Sequence, residues 1–109
     1  MTFVTIHKFR KNHLYNININ IMKENYKHAT LVDVRTPEEF IEGHFPNAIN
    51  IPLDQVQHNT EKFREMPKPI IAYCRSGNRS GMALKILKDS GINEVINGGG
   101  LEELLQSSK

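Results

Sequence analysis

The chain has 109 residues, of which 39% are hydrophobic and 24% are charged. These proportions are typical of one compact domain with a buried core, and they argue against a disordered chain. A net charge of +2 is too small to indicate a nucleic-acid or membrane partner by itself, and we expect neither.

The N-terminus and the cysteine count bear on where the protein works. No apolar run approaches the ~20 residues that span a bilayer, and the N-terminus lacks the apolar core of a signal peptide. The sequence has a single cysteine, Cys74, so no intramolecular disulfide can form. A lone thiol fits a reducing compartment, and we therefore expect a cytoplasmic protein.

A basic stretch precedes the first acidic residue, Glu24. We interpret it as a solvent-exposed arm, with a docking patch for an anionic partner as the alternative. Residues 1–14 are accordingly predicted to be an N-terminal basic extension, and residues 15–109 a single domain. The stretch contains Lys8, Arg10 and Lys11, with His7 and His13 beside them.

Short apolar runs alternate with amphipathic, helix-like segments along the rest of the chain, which is the pattern of an α/β fold. Ile17 and Ile19 predict a short strand, and Asn20 is a candidate N-cap for a helix over about residues 21–27. The β-branched run at 31–34 predicts a buried strand.

The next segment has a well-defined helix start. Thr36 supplies an N-cap hydroxyl, Pro37 stands at the first helical position, and Glu39 lies where a capping box needs a carboxylate. We expect this helix to stop at Gly43. Its predicted inward-facing residues are Phe40 and Ile41.

The second half of the chain continues the alternation. A short strand is predicted at 48–51, helical turns and a helix within 53–66, and a central parallel strand at 69–73, where the sequence is continuously apolar. A helix from about 79 to 90 is predicted to end in a left-handed cap at Gly91. Its predicted buried side comprises Met82, Ala83, Leu84, Ile86 and Leu87. A strand at 95–96 and a closing helix with Leu101, Leu104 and Leu105 complete the chain.

Cys74 stands between the central strand and the following helix, at the sheet edge where open parallel sheets place their chemistry. Gly77 permits a tight turn, and the backbone N–H groups of such a turn and of a helix start converge on an anion. Arg75 and Arg79 add positive charge. These surroundings lower a thiol's pKa from about 8.5 to between roughly 3.5 and 7.5, so we expect a nucleophilic thiolate. The alternative is a cysteine that merely fills the core.

Four stretches of the sequence occur in the order and spacing of one known family. They are 31–35 leading into 37–40, then 43–52, then the loop that begins at Cys74, and finally 97–100. On these stretches, which lie within residues 17–105, the chain resembles a single-domain rhodanese. Residues 1–14 match nothing in that family, and Leu104 and Leu105 replace the aromatic residue often found after the last glycines.

The resemblance implies a fold and a site. The fold would be α/β and rhodanese-like, with a five-stranded, mostly parallel sheet and helices on both faces. Cys74 would accept a sulfane sulfur as a persulfide, without cofactor or metal. The anion cradle around it would comprise Arg75, Ser76, Gly77, Asn78 and Arg79, with Asp33 and Arg35 in supporting positions.

Three residues near the predicted site, Arg35, Asp33 and His44, also have purely structural interpretations. We interpret Arg35 as an ion-pair partner of Glu38 or Glu39, and Asp33 as an acceptor of hydrogen bonds from the loop's backbone. His44 is interpreted as part of a turn rather than as a group in the chemistry.

The predicted function is a thiosulfate sulfurtransferase. A small sulfur donor, thiosulfate or a persulfide, would load Cys74, and cyanide, a thiol or a protein thiol would accept the sulfur. One alternative is a persulfide relay or binding module for a partner protein. Another is a cysteine-based phosphatase or arsenate reductase, but four residues separate Cys74 from Arg79, where those phosphatases have five. The single cysteine also argues against arsenate reduction through an intramolecular disulfide.

Overall fold

The computed structural model describes residues 28–107. Within them, four strands form one sheet in the order β2-β1-β3-β4, and every neighbouring pair is parallel. The strands are β1 (Thr30–Asp33), β2 (Ile49–Asn50), β3 (Ile70–Cys74) and β4 (Val95–Gly100).

The predictions for the first 27 residues lie outside the described part of the chain. They concern the basic extension 1–14, the strand at Ile17 and Ile19, and the helix at 21–27. The strand that would be the fifth of the predicted sheet is therefore not among the four described.

The connections between the strands are helical. The helices are α1 (Pro37–Glu42), α2 (Leu53–Val56), a 3-10 helix (Gln57–Asn59), α3 (Thr60–Glu65), α4 (Asn78–Asp89) and α5 (Leu101–Ser107). Two hydrophobic clusters lie on opposite faces of the sheet, so helices cover both faces, as predicted. One cluster includes Val56, Phe63, Ala83 and Leu87 from α2, α3 and α4; the other includes Leu101 and Leu104 from α5.

Strand β3 lies between β1 and β4, and all five of its residues are buried. Successive side chains of a strand point to opposite faces. Ala72 and Cys74 accordingly belong to the cluster under α4, while Tyr73 belongs to the cluster under α5. The continuous apolar run of this segment thus has the burial on both faces that a central parallel strand requires.

The predicted helix boundaries are confirmed where a local signal marks them. Thr36 caps α1, and both hydrogen bonds of the capping box with Glu39 form. Helix α4 ends before Gly91, whose φ is +87°; the N–H of Ile92 then donates to the Leu87 carbonyl at 2.9 Å. Both signals act within one helical turn.

Two predictions of burial are wrong. Ile41 is 80% exposed and Met82 is 59% exposed. In α4 the buried stripe follows Ser80, Ala83 and Leu87, and a residue two positions after Ser80 lies about 200° around a helix of 3.6 residues per turn. Helix α1 has only six residues and buries none of them completely.

Candidate functional site

Cys74 is the last residue of β3, and four residues later the chain is already in α4. Its side chain is completely buried. The N–H of Gly77 donates to Sγ at 3.0 Å, and the hydroxyl oxygen of Ser80 lies 3.6 Å from Sγ. Gly77 has a φ of +101°, a conformation that a residue with a side chain rarely adopts. This glycine therefore allows the turn that directs its N–H at the sulfur.

Opposing influences act on the pKa of the Cys74 thiol. The largest is burial, which raises the pKa because it penalises the charged form. Against it act hydrogen bonds from the Ser80 hydroxyl and from the backbone N–H groups of Ser80, Ser76 and Gly77, and together they lower the pKa below its ordinary value. Hydrogen bonds that favour the thiolate thus outweigh the cost of burying it.

Asn97 connects this loop to β4. Its Oδ1 accepts the Ser80 hydroxyl at 2.7 Å and the N–H of Gly99 at 2.9 Å. Its Nδ2 donates to the carbonyl of Gly77 at 3.1 Å. Because a backbone N–H can only donate and a carbonyl can only accept, these contacts fix the orientation of the amide. Asn97 therefore holds both the turn at Gly77 and the hydroxyl beside the sulfur.

Asn97 is two residues after Val95 on β4, so it lies on the face of the sheet that α4 covers, and a shift in strand register follows it. Ala72 pairs with Asn97, but Tyr73 pairs with Gly99, so Gly98 is the extra residue on β4. The motif at 97–100 was part of the family resemblance. No role in the site was predicted from the sequence for Asn97 or for Ser80. Ser80 could have been found from its position directly after Arg79. The face of the sheet on which Asn97 lies follows from alternation with Val95, but the side chain of α4 that it meets is decided by how that helix packs on the sheet.

The two arginines of the loop are joined by one carboxylate. Arg79 forms a two-pronged ion pair with Glu39, at 2.8 Å from Nη1 to Oε1 and 3.1 Å from Nη2 to Oε2. Arg75 Nε lies 3.4 Å from the same Oε2. The hydrogen bond from Arg79, followed by that from the backbone of Thr36, holds the pKa of Glu39 well below its usual range. Glu39 was predicted only as a helix cap and as a possible partner of Arg35.

Asp33 and Arg35 form a separate buried pair. Arg35 Nη2 lies 2.7 Å from Asp33 Oδ2 and 2.6 Å from the carbonyl oxygen of Gly43, and the backbone N–H of Arg35 donates to Asp33 Oδ1. The interpretation of Arg35 as a partner of Glu38 or Glu39 is therefore wrong, because Asp33 is two residues away on the strand end while Arg79 occupies Glu39. Asp33 therefore accepts from Arg35 rather than from the backbone of the Cys74 loop as expected, and Arg35 ties the end of β1 to the turn after α1 through the Gly43 carbonyl.

The remaining predicted residues take simpler positions. Ser76 and Asn78 are exposed, and the N–H of Asn78 approaches the Ser76 hydroxyl at 3.4 Å. His44 stacks on Phe40 with ring centroids 3.8 Å apart, and its Nδ1 lies 2.9 Å from the Phe40 carbonyl oxygen. These contacts agree with the interpretation of His44 as part of a turn.

A cavity of about 310 Å³ adjoins the loop at Arg75. We call it the Arg75 cavity. Its charged lining comprises Arg35, Glu39, Glu42, Arg75 and Glu102, and Leu101 and Leu105 add apolar surface.

No group of three or more His, Cys, Asp or Glu side chains within residues 28–107 is arranged to hold a metal ion. Over the same residues, no helix combines the length and apolar character needed to cross a membrane.

The fold and the site together define a class of protein. It is a parallel-sheet α/β domain whose cysteine ends a central strand and receives N–H groups from the turn into the next helix. The model of the rhodanese-like domain family matches residues 19–107, and this chain belongs to that family.

Individual relatives agree with this assignment. The chain is 40% identical over 75 residues to the uncharacterized protein YqhL of Bacillus subtilis, a match that covers 69% of this chain but only 59% of that protein. It is 36% identical over 74 residues to the thiosulfate sulfurtransferase PspE of Escherichia coli, covering 67% and 71% of the two chains. A solved rhodanese from E. coli, determined with anions, superposes with a TM-score of 0.63 at 36% identity, over 69% of this chain and 89% of that one.

Proposed function

We propose that this protein is a sulfurtransferase in which Cys74 carries the transferred sulfur as a persulfide. The observation that carries the proposal is the buried Cys74 sulfur with the Gly77 N–H donated to it at 3.0 Å and with its pKa lowered by the surrounding hydrogen bonds. Membership in the rhodanese-like family supports sulfur transfer as the general reaction. The donor would be thiosulfate or a persulfide, and the acceptor cyanide, a thiol or a protein thiol.

Cys74 would react as its thiolate, the form that the surrounding hydrogen bonds favour, and a thiolate needs no separate base in the loading step. With thiosulfate, the Cys74 thiolate attacks the outer sulfur, a new S–S bond forms, and the bond between the two sulfurs of thiosulfate breaks as sulfite leaves with its electron pair. The resulting persulfide carries one negative charge. The N–H groups that stabilise the thiolate are also available to this anion.

The unloading step reverses the roles. A nucleophile such as cyanide or a thiolate attacks the outer sulfur of the persulfide and leaves as thiocyanate or as a new persulfide. The electron pair of the broken S–S bond returns to Cys74, which becomes a thiolate again. No redox partner, metal or organic cofactor is required for either step.

The loading step is tested by mass spectrometry of the intact protein. After incubation with thiosulfate the chain should gain the mass of one sulfur atom, cyanide should remove it, and Cys74→Ser should never acquire it. Absence of the adduct together with turnover of an aryl phosphate would establish the phosphatase alternative instead. The four-residue spacing between Cys74 and Arg79 makes the sulfur reaction our expectation.

A persulfide relay to one partner protein uses the same loading step and differs in the acceptor. Comparing sulfur release to small thiols with release to protein thiols distinguishes a relay from an enzyme that serves small acceptors. We place the reaction in the cytoplasm, where reduced thiols are abundant, in keeping with the single cysteine of the chain.

A further inference from the structure

Glu39 controls the charge that surrounds the Cys74 loop. Its side chain is only 19% exposed, and its two carboxylate oxygens are shared between Arg79 and Arg75. Paired in this way, Glu39 stays ionised across the pH range in which proteins fold, because its pKa lies well below the ordinary value of 4.5. The two loop arginines therefore share a permanent negative charge.

The positive charge of the third arginine near the site, Arg35, is also neutralised by a carboxylate. Arg35 is paired with Asp33, and both are buried. Summed over these five side chains, three arginines and two carboxylates leave a charge of +1. The Arg75 cavity adds the carboxylates of Glu42 and Glu102, so the formal charge summed over these seven side chains is −1. The arginines thus offer an approaching anion much less attraction than their number suggests.

The charges of Arg79 and Glu39 act electrostatically on the Cys74 sulfur. The hydrogen bonds to Glu39 raise the pKa of Arg79, and the negative charge of the Cys74 thiolate raises it further. Glu39 lies 2.8 Å from Arg79, so its charge opposes the attraction that Arg79 exerts on an anion approaching the sulfur. A unit charge about 6 Å from the donor's charge, in a medium with the dielectric constant of water, changes a rate constant by about threefold.

We propose that Glu39 is a specificity-determining residue that selects against sulfur donors of high negative charge. Donors with one negative charge or none, such as the persulfide of an uncharged thiol, would load Cys74 in preference to a small dianion. The inference rests on the proposed function for its meaning, because it names which donors the site favours. It does not depend on that function for its test.

Glu39→Gln is the informative variant. A glutamine keeps a side-chain oxygen that accepts from the Thr36 N–H, as Glu39 does at 3.0 Å, and glutamine is the other residue that completes a capping box. It removes the charge, and it also replaces the oxygen that accepts from Arg79 Nη2 and Arg75 Nε by an NH2 group, so both arginines lose an acceptor and are left free to attract an anion. Glu38→Gln is the matched control, since it makes the same charge change one residue earlier in α1, at an exposed position whose carboxylate is not the partner of either loop arginine.

The first experiment needs no sulfur transfer. Cys74 is alkylated with iodoacetate, which is an anion, and with iodoacetamide, which is neutral and of similar size. The ratio of the two rate constants cancels any change in the pKa or nucleophilicity of the thiol. In Glu39→Gln the iodoacetate-to-iodoacetamide ratio should rise about threefold, and in Glu38→Gln it should stay at the wild-type value. Addition of salt to 1 M should remove most of the rise, because the Debye length then falls to about 3 Å.

The second experiment repeats the comparison with sulfur donors. Thiosulfate carries two negative charges and methanethiosulfonate carries one, and each transfers its outer sulfur to a thiolate while a sulfur oxyanion leaves. Loading of Cys74 in Glu39→Gln should accelerate about tenfold with thiosulfate and about threefold with methanethiosulfonate, since the electrostatic energy scales with donor charge.

The outcomes separate the two proposals. An unchanged or lowered alkylation ratio in Glu39→Gln, or an equal rise in Glu38→Gln, overturns the role of Glu39. Equal acceleration with both donors also overturns it, because the effect would then not depend on charge. If the alkylation ratio rises as expected but no donor ever loads Cys74, the role of Glu39 in selecting anions stands and the sulfurtransferase proposal fails.

Discussion

Replacing Ser80 by alanine should raise the pKa of Cys74. The hydroxyl of Ser80 lies 3.6 Å from Sγ and is one of the groups that lower this pKa. A hydrogen bond to a charged group contributes about 1.5–3 kcal/mol, which corresponds to about one to two pKa units.

The lower end of that range applies here, because Ser80 has one hydroxyl proton and two acceptors for it. Asn97 Oδ1 holds that proton at 2.7 Å, so the thiolate obtains it only by turning the hydroxyl away from Asn97. The N–H of Gly77 donates to the sulfur at 3.0 Å without involving Ser80, so we expect the variant to keep this hydrogen bond. We therefore expect a rise of about one pKa unit.

The assay is the pH dependence of the rate at which iodoacetamide alkylates Cys74. Ser76→Ala is the control in the same loop, because the Ser76 hydroxyl faces the N–H of Asn78 rather than the sulfur. Its profile should coincide with that of the wild type. A Ser80→Ala profile that is unshifted or moves to lower pH would refute the reasoning, since the hydroxyl would then not stabilise the thiolate.

Three further predictions follow from the same geometry. Gly77→Ala should lower the free energy of unfolding by about 1–2 kcal/mol, measured by urea denaturation, because φ is +101° at that position; an unchanged midpoint would contradict it. Gly100→Ala should abolish loading of Cys74 by thiosulfate in the mass-spectrometric assay, because a Cβ there would overlap the carbonyl oxygen of Arg75; normal loading would show that the loop tolerates the displacement. The stability that Glu39 gains from Arg79 should be complete above its ordinary pKa of 4.5 and should be lost as the pH falls towards its lowered folded value. The difference in melting temperature between wild type and Glu39→Gln should therefore shrink between about pH 5 and pH 3, and a constant difference would rule out ionisation of Glu39 as its source.

The sequence by itself determined the features that depend on neighbouring residues. The capping box at Thr36 and the left-handed cap at Gly91 act over a single helical turn, and both formed where predicted. The apolar run of β3 predicted a central strand, and its end placed Cys74 at a strand-to-helix turn. The apolar pattern did not determine which helix residues face the core, because Ile41 and Met82 are apolar yet exposed.

The tertiary structure decided which charges and hydrogen bonds meet around the sulfur. Arg79 and Glu39 are 40 residues apart in the chain, and Asn97 and Ser80, which are 17 residues apart, meet because α4 packs against β4. An ion pair forms between whichever opposite charges the packed elements bring within a few ångströms, and no local pattern encodes that distance. The sequence therefore identified Cys74 and its loop, and the packing of α1 and β4 against that loop decided the charge and the hydrogen bonds under which the cysteine works.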